Sequence, residues 1–144
     1  LSFNPNVMGI RAMPAGDKVA TVEVTQENFN QVVNGNNMVI VDFWAPWCGP
    51  CRSFAPAYEA ASEKHPDVVF AKVNTEEQQA LAGYFQIRSI PTLMIFRDKI
   101  IIFAQPGALP AAALEQVIEK AKALDMDEVR REIAAEQNQQ APAG

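Results

Sequence analysis

Cysteine and histidine are scarce in this chain: its 144 residues hold two cysteines and a single histidine, His65. Two cysteines cannot build the disulfide framework of a small secreted scaffold. They also fall short of the four ligands of a closed zinc site or the four thiolates of an iron–sulfur cluster. Only added carboxylates, or a metal shared between two chains, would complete such a site. Positive charge is in deficit as well, with 12 Lys and Arg against 17 Asp and Glu. The resulting net charge of −5 disfavours a nucleic-acid backbone as the main partner. No apolar run reaches the roughly 18 residues that a membrane-spanning helix needs. The opening LSFNPNVMGIRAMPAG lacks the basic segment, apolar core and small-residue cleavage site of a secretory signal. The expectation is therefore a cytoplasmic protein. Because the chain starts at Leu1 rather than Met, a periplasmic protein with its signal removed is the alternative. What remains, 49 % hydrophobic and 20 % charged residues, is the composition of one ordinary globular domain.

Along the chain, Pro5, Gly9, Pro14 and Gly16 interrupt residues 1–18, which read as an arm or linker. VATVEV (19–24) alternates like a half-buried strand, and Thr25 caps a short helix through Asn34. MVIVDFW (38–44) is nearly continuous in apolar residues, as a strand covered on both faces requires. From Cys48 to Lys64, Phe54, Tyr58 and Ala61 form one helical stripe; Pro50 suits the first turn and Pro56 should kink the helix. A strand VVFAKVN (68–74) and a helix EEQQALAGYF (76–85) follow. PTLMIFR and KIIIFA then read as an antiparallel hairpin around an RDK turn that lacks glycine. Ile100–Phe103 is unusually apolar for an edge strand, a position proteins usually protect. After Gly107 a helix is predicted from about Pro110 to Ala123. The order β-α-β-α-β-α-β-β-α implies an α/β domain over 19–124, with one central mixed β-sheet flanked by helices on both faces. Residues 125–144 read as an extra amphipathic helix, DMDEVRREIAAEQ, and a disordered tail, NQQAPAG. That helix is a candidate cover for the apolar edge strand, or a dimer contact. His65, in a KHPD turn, reads as a surface residue without chemistry.

The chemistry concentrates in VDFWAPWCGPC (41–51). The spacing puts Cys48 at a helix start and Cys51 one turn inside. Only a thiolate attacks a disulfide, and unpaired N–H groups with the helix dipole stabilise an anion at a helix N-terminus. Cys48 is thus the expected accessible nucleophile, and Cys51 is placed to close onto it and expel a bound thiol. Gly49 keeps the approach open and Pro50 stiffens the turn. Inert structural cysteines and a metal site are the competing readings. Asp42, inside a buried strand, faces a desolvation cost that raises its pKa towards the range useful for proton transfer; a partly solvated strand-end aspartate is the alternative. No Gly-x-Gly-x-x-Gly turn is present to bind a nicotinamide.

WAPWCGPC, Asp42 upstream and RSIPT (88–92) downstream resemble a bacterial thioredoxin, over about Val19 to Leu124. The resemblance implies the thioredoxin fold and a protein disulfide reductase acting in cell redox homeostasis. It casts Cys48 as the attacking and Cys51 as the resolving cysteine, with Trp47 as the neighbouring aromatic. It makes Pro91 the proline after a cis bond facing the disulfide, a geometry that X-Pro bonds adopt far more cheaply than others. It places Ile90 and Gly107 in an apolar substrate groove, where the Ile90 backbone receives an incoming peptide in strand fashion. Lys72 becomes the partner of Asp42. No bound cofactor is expected, only the Cys48–Cys51 dithiol or disulfide. The expected partners are disulfide-containing proteins and a flavin-dependent thioredoxin reductase fed by NADPH. A periplasmic oxidoreductase and a non-catalytic partner-binding subunit on the same fold are the alternative functions.

Overall fold

A computed structural model describes residues 20–140; the predicted arm over 1–18, Val19 and residues 141–144 lie outside the described residues. The elements follow in the order β1 (Thr21–Glu23), α1 (Phe29–Asn34), β2 (Met38–Trp44), α2 (Gly49–Lys64), β3 (Val69–Asn74), α3 (Gln79–Tyr84), β4 (Thr92–Arg97), β5 (Ile100–Pro106), α4 (Ala111–Ala123) and α5 (Met126–Gln140). The five strands form one sheet in the order β1-β3-β2-β4-β5. β1, β3 and β2 run parallel, while β4 pairs antiparallel with both β2 and β5. The predicted mixed sheet is thus present.

β2 is the centre. Its residues Met38 to Phe43 are all buried, because helices cover both faces of the sheet. Alternation then sorts them. Met38 and Ile40 pack with Phe54, Tyr58 and Ala61 of α2 and Leu114, Ile118 and Ala121 of α4. Val39, Val41 and Phe43 pack on the other face with Val33 of α1 and Leu81 of α3. Period two assigns Asp42 and Trp44 to the α2 face.

Two helices begin later than predicted, each for a local polar reason. Thr25 and Asn28 exchange bonds, Thr25 N–H donating to Asn28 Oδ1 at 2.7 Å and Asn28 N–H to Thr25 Oγ1 at 3.4 Å, so a turn precedes α1. Asn74 Oδ1 accepts from Glu76 N–H at 2.9 Å, bending the chain before α3. α2 continues through Pro56 as a single helix. α5 reaches Gln140, three residues into the stretch predicted to be disordered. It starts where Asp125 Oδ1 accepts from the Asp127 and Glu128 N–H groups at 3.0 and 3.2 Å.

Two further expectations are corrected. His65 is 5 % exposed rather than a surface residue. It caps the end of α2, stacks on Phe70 and bonds to Glu115 and Lys122 of α4, so a group expected to face solvent instead joins two helices. Among the described residues, the core against which the apolar edge strand packs is closed by α4 and holds no residue of α5. A register shift between Ile95 and Phe96 leaves Ile102 as an extra residue, and Ile102 and Phe103 both pack against the core that holds Leu114 and Ile118. Ile101 stays 45 % exposed. α5 touches the domain through buried Met126 and an Arg130–Asp98 ion pair at the hairpin.

That hairpin has a two-residue loop, with Asp98 at φ 51° and Lys99 at φ 71°. Two left-handed residues are what a type I′ turn demands, normally met by glycine or asparagine. Lys99→Gly is expected to raise unfolding free energy by about 0.5–1 kcal/mol, through relief of the Cβ clash and despite glycine's greater unfolded-state entropy. Urea unfolding measures it.

Candidate active site

The C-terminal end of β2 hands the chain through Ala45-Pro46-Trp47 to α2, and the turn closes when Cys48 N–H donates to Ala45 C=O at 3.2 Å. Arg52 holds this loop by donating to the Pro46 carbonyl at 3.2 Å. Cys48 is the N-cap of α2, extended at φ −85° and ψ 113°, with the proline in the first turn. A helix N-terminus leaves N–H groups without intrahelical acceptors. One of them, from Cys51, donates to Cys48 Sγ at 3.2 Å. The two cysteines are joined in a disulfide with their Cα atoms 5.2 Å apart. The spacing therefore delivers the sulfurs to each other, as the redox reading requires.

Exposure does not separate them. Cys48 is 5 % and Cys51 3 % exposed, packed with Ala45, Trp44 and Ile90, so the accessible Cys48 expected from its helix-end position is not seen in this oxidised form. The difference lies in their partners: Cys48 Sγ takes the amide bond and sits 3.8 Å from the Ile90 carbonyl oxygen. The Ile90–Pro91 bond is cis. Pro91 C=O in turn accepts from Gly107 N–H at 2.7 Å, which brings the Ile90–Pro91 and Pro106–Gly107 segments together beside the disulfide. Trp47 is 63 % exposed at the rim, and a Cβ added to Gly49 would meet no protein atom within 4 Å. Gly107 has φ +104° with open space around it, so its demand for glycine is conformational rather than steric.

The α2 face of β2 also carries a buried carboxyl. Asp42 is 1 % exposed, and neither of its oxygens has a hydrogen-bond partner. Burial pushes its pKa up from 3.8 to about 7, against a smaller pull downward from the Lys72 ammonium. Lys72 stands opposite Asp42 in the β2–β3 register. Its Nζ rests 4.5 Å from the centroid of the Trp44 ring, so the predicted partner acts on Asp42 through its field rather than by a direct bond. Among the described residues, the buried side-chain polar atoms without a partner are the Asp42 oxygens and Trp44 Nε1, two positions on one face of β2.

Outside this centre, His65, Glu115 and Glu119 bring ligand-type atoms within 4.8 Å of one another. Lys122 Nζ, a donor only, lies 2.7 Å from His65 Nδ1, so Nδ1 accepts and the ring proton sits on Nε2, facing Glu115 Oε1 at 2.9 Å. The imidazole thus ties α2 to α4 through contacts on both ring nitrogens. Sequence reasoning took Tyr58 for core alone. The structure buries its hydroxyl beside the β2 and β3 carbonyls, and a phenol in an otherwise apolar stripe was the only signal.

Residues 20–120 match the family described as Thioredoxin. The chain is 59 % identical over 120 residues to a putative thioredoxin 2 of Streptomyces coelicolor, covering 83 % of this chain and 90 % of that one. It is 45 % identical over 103 residues to thioredoxin 1 of a Nostoc species, covering 70 % and 96 %. Among solved structures, a mutant thioredoxin from Halobacterium salinarum superposes with a TM-score of 0.68 at 34 % identity, covering 73 % of this chain and 93 % of that one. A Plasmodium falciparum thioredoxin gives 0.66 at 38 % identity, covering 69 % and 98 %.

Two outcomes are expected. Asp42 holds its proton more tightly folded than unfolded, so its contribution to stability is complete below the ordinary carboxyl pKa and is lost as pH rises through about 7. Moving a buried carboxyl this far corresponds to about 4 kcal/mol, so urea unfolding of the oxidised protein should weaken from pH 4 to pH 8 and Asp42→Asn should flatten that slope. Gly107→Ala should cost about 1–3 kcal/mol in the same assay, because alanine resists positive φ.

Proposed function

The chain belongs to the thioredoxin family and is a thiol–disulfide oxidoreductase that reduces protein disulfides, and on that basis we propose how its residues divide the reaction. The observation that carries the proposal is the Cys48–Cys51 disulfide at the first turn of α2, set against Ile90–Pro91. In the reduced protein Cys48 is the thiolate. It attacks one sulfur of a substrate disulfide, forms a mixed disulfide and expels the other substrate sulfur as a thiolate that takes a proton. Cys51 then loses its proton to the Asp42 carboxylate and attacks Cys48 Sγ. The second substrate thiolate leaves and the Cys48–Cys51 bond forms. Two electrons pass from the dithiol to the substrate, which leaves as two thiols.

A pKa near 7 suits Asp42 to this step, since a base poised near the working pH both accepts and returns a proton readily. Lys72 favours its ionised form. Trp47, Gly49, Pro50, Ile90, Pro91 and Gly107 form the substrate-facing rim, where an extended peptide bonds to the Ile90 backbone as an added strand. The redox centre is the cysteine pair itself, and the proposal includes no bound cofactor.

The family generally works with disulfide substrates and thioredoxin reductase. For this chain we assign the return of electrons to a flavin-dependent thioredoxin reductase supplied by NADPH, and the site of action to the cytoplasm. No helix among the described residues is long and apolar enough to cross a membrane. A non-catalytic binding subunit is not favoured, because the two sulfurs are already paired.

Insulin reduction with dithiothreitol tests the assignment. Cys48→Ser should lower the rate to the level of dithiothreitol alone, and Cys51→Ser should accumulate a mixed disulfide visible by non-reducing electrophoresis. Full activity in Cys48→Ser would end the reading.

A further inference from the structure

Tyr58 stands seven residues after Cys51 on the same stripe of α2, two turns or about 10.5 Å along the helix. It is fully buried, with its ring against Phe54 and Phe70. Such a place calls for phenylalanine or leucine, since a buried hydroxyl is costly unless bonded. Its hydroxyl oxygen lies 2.7 Å from the Ala71 carbonyl oxygen and 3.0 Å from that of Ile40. With a single hydrogen it donates to one of them at a time. These carbonyls belong to the residue preceding Lys72 and the residue two before Asp42 on the same face of β2. The phenol therefore bridges the helix of the cysteines and both strands of the proton-handling pair.

We propose that Tyr58 is a positioning residue for the resolving step, whose hydroxyl donates to one or other of two strand carbonyls near Asp42 and thereby sets the pH at which Asp42 accepts the Cys51 proton. The proposal rests on the role of Asp42 given above. Carbonyl oxygens are the negative ends of dipoles, and beside a buried carboxyl they oppose its ionisation. A hydroxyl that donates to them offsets that field, whereas an apolar ring leaves it uncovered. The two side chains share one field: a charged Asp42 opposes ionisation of Tyr58, second to burial, so that the phenol stays protonated and remains a donor. The ionisable groups coupled to Asp42 are Lys72 from β3 and Tyr58 from α2; β4 presents Leu93 in register.

The test follows the Asp42 carboxyl by carbon-13 NMR across pH in the oxidised full chain, beside the pH profile of mixed-disulfide release in the reduced one. Tyr58→Phe should move both midpoints upward by about half a pH unit or more, lowering the release rate near pH 7 about twofold or more while leaving it unchanged at pH 9. A second arm uses 3-fluorotyrosine, incorporated in a Tyr84→Phe background so that Tyr58 is the only tyrosine labelled. The stronger donor should move both midpoints down, opposite in sign to the phenylalanine effect. This arm decides the matter even if Tyr58→Phe does not fold. Midpoints that stay in place while stability alone falls would reduce Tyr58 to a structural residue and overturn the proposal. Asp42→Asn separates the two readings. If it leaves the release profile unchanged, the Asp42 role fails; if it abolishes the profile while neither Tyr58 variant shifts it, only the Tyr58 role fails.

Discussion

Everything at this site depends on one strand being buried on both faces while carrying a carboxyl. β2 sits between β3 and β4 and is sealed by α2 and α4 on one side and α1 and α3 on the other. Water is thereby kept from Asp42, and its proton affinity rises towards neutrality. The same strand leads through Ala45–Trp47 into α2, so the chain that carries the carboxyl also delivers the cysteines. Removing the cover from either face would weaken the fold and the proton chemistry together.

The second constraint is convergence from distant parts of the sequence. Cys48 lies 3.8 Å from the carbonyl of Ile90, and the next residue, Pro91, is held by the Gly107 amide. Three loops at one end of the sheet thus form a single surface, with an exposed tryptophan at its margin. Direct bonds between side chains play little part. The sulfur is held by a backbone amide, and the carboxylate is tuned by burial and by a lysine that rests on an aromatic ring. Backbone and burial fix positions more firmly than flexible side chains do.

Periodicity made the architecture legible. The continuous apolar run at Met38–Trp44 announced a doubly covered strand, and the CGPC spacing announced a pair within bonding reach at a helix start. Asp42 was readable because a charge inside such a run has no cheap explanation. What escaped was set by contacts between elements far apart in sequence. His65 looked like a turn residue, because nothing local shows that Glu115 and Lys122, 50 and 57 residues on, meet both ring nitrogens. The bulge that turns Ile102 and Phe103 to one side left no mark in the apolar run. Tyr58 fitted a core stripe so well that its hydroxyl drew no notice. The late starts of α1 and α3 came from Asn28 and Asn74, whose side chains compete with the helix for backbone amides.

The anchor at His65 bears on how a target reaches a disulfide that is almost closed off. α2 is fastened at its far end by an imidazole engaged on both nitrogens, with Lys122 also reaching Asp67. Tilting the helix as a rod would break these bonds together. The end that carries the cysteines is held in another way, by Arg52 on the Pro46 carbonyl and by buried Ala45 packed against both sulfurs. Both ends of α2 are thus tied, and a target that reaches the sulfurs meets a helix that cannot be shifted without breaking contacts at each end.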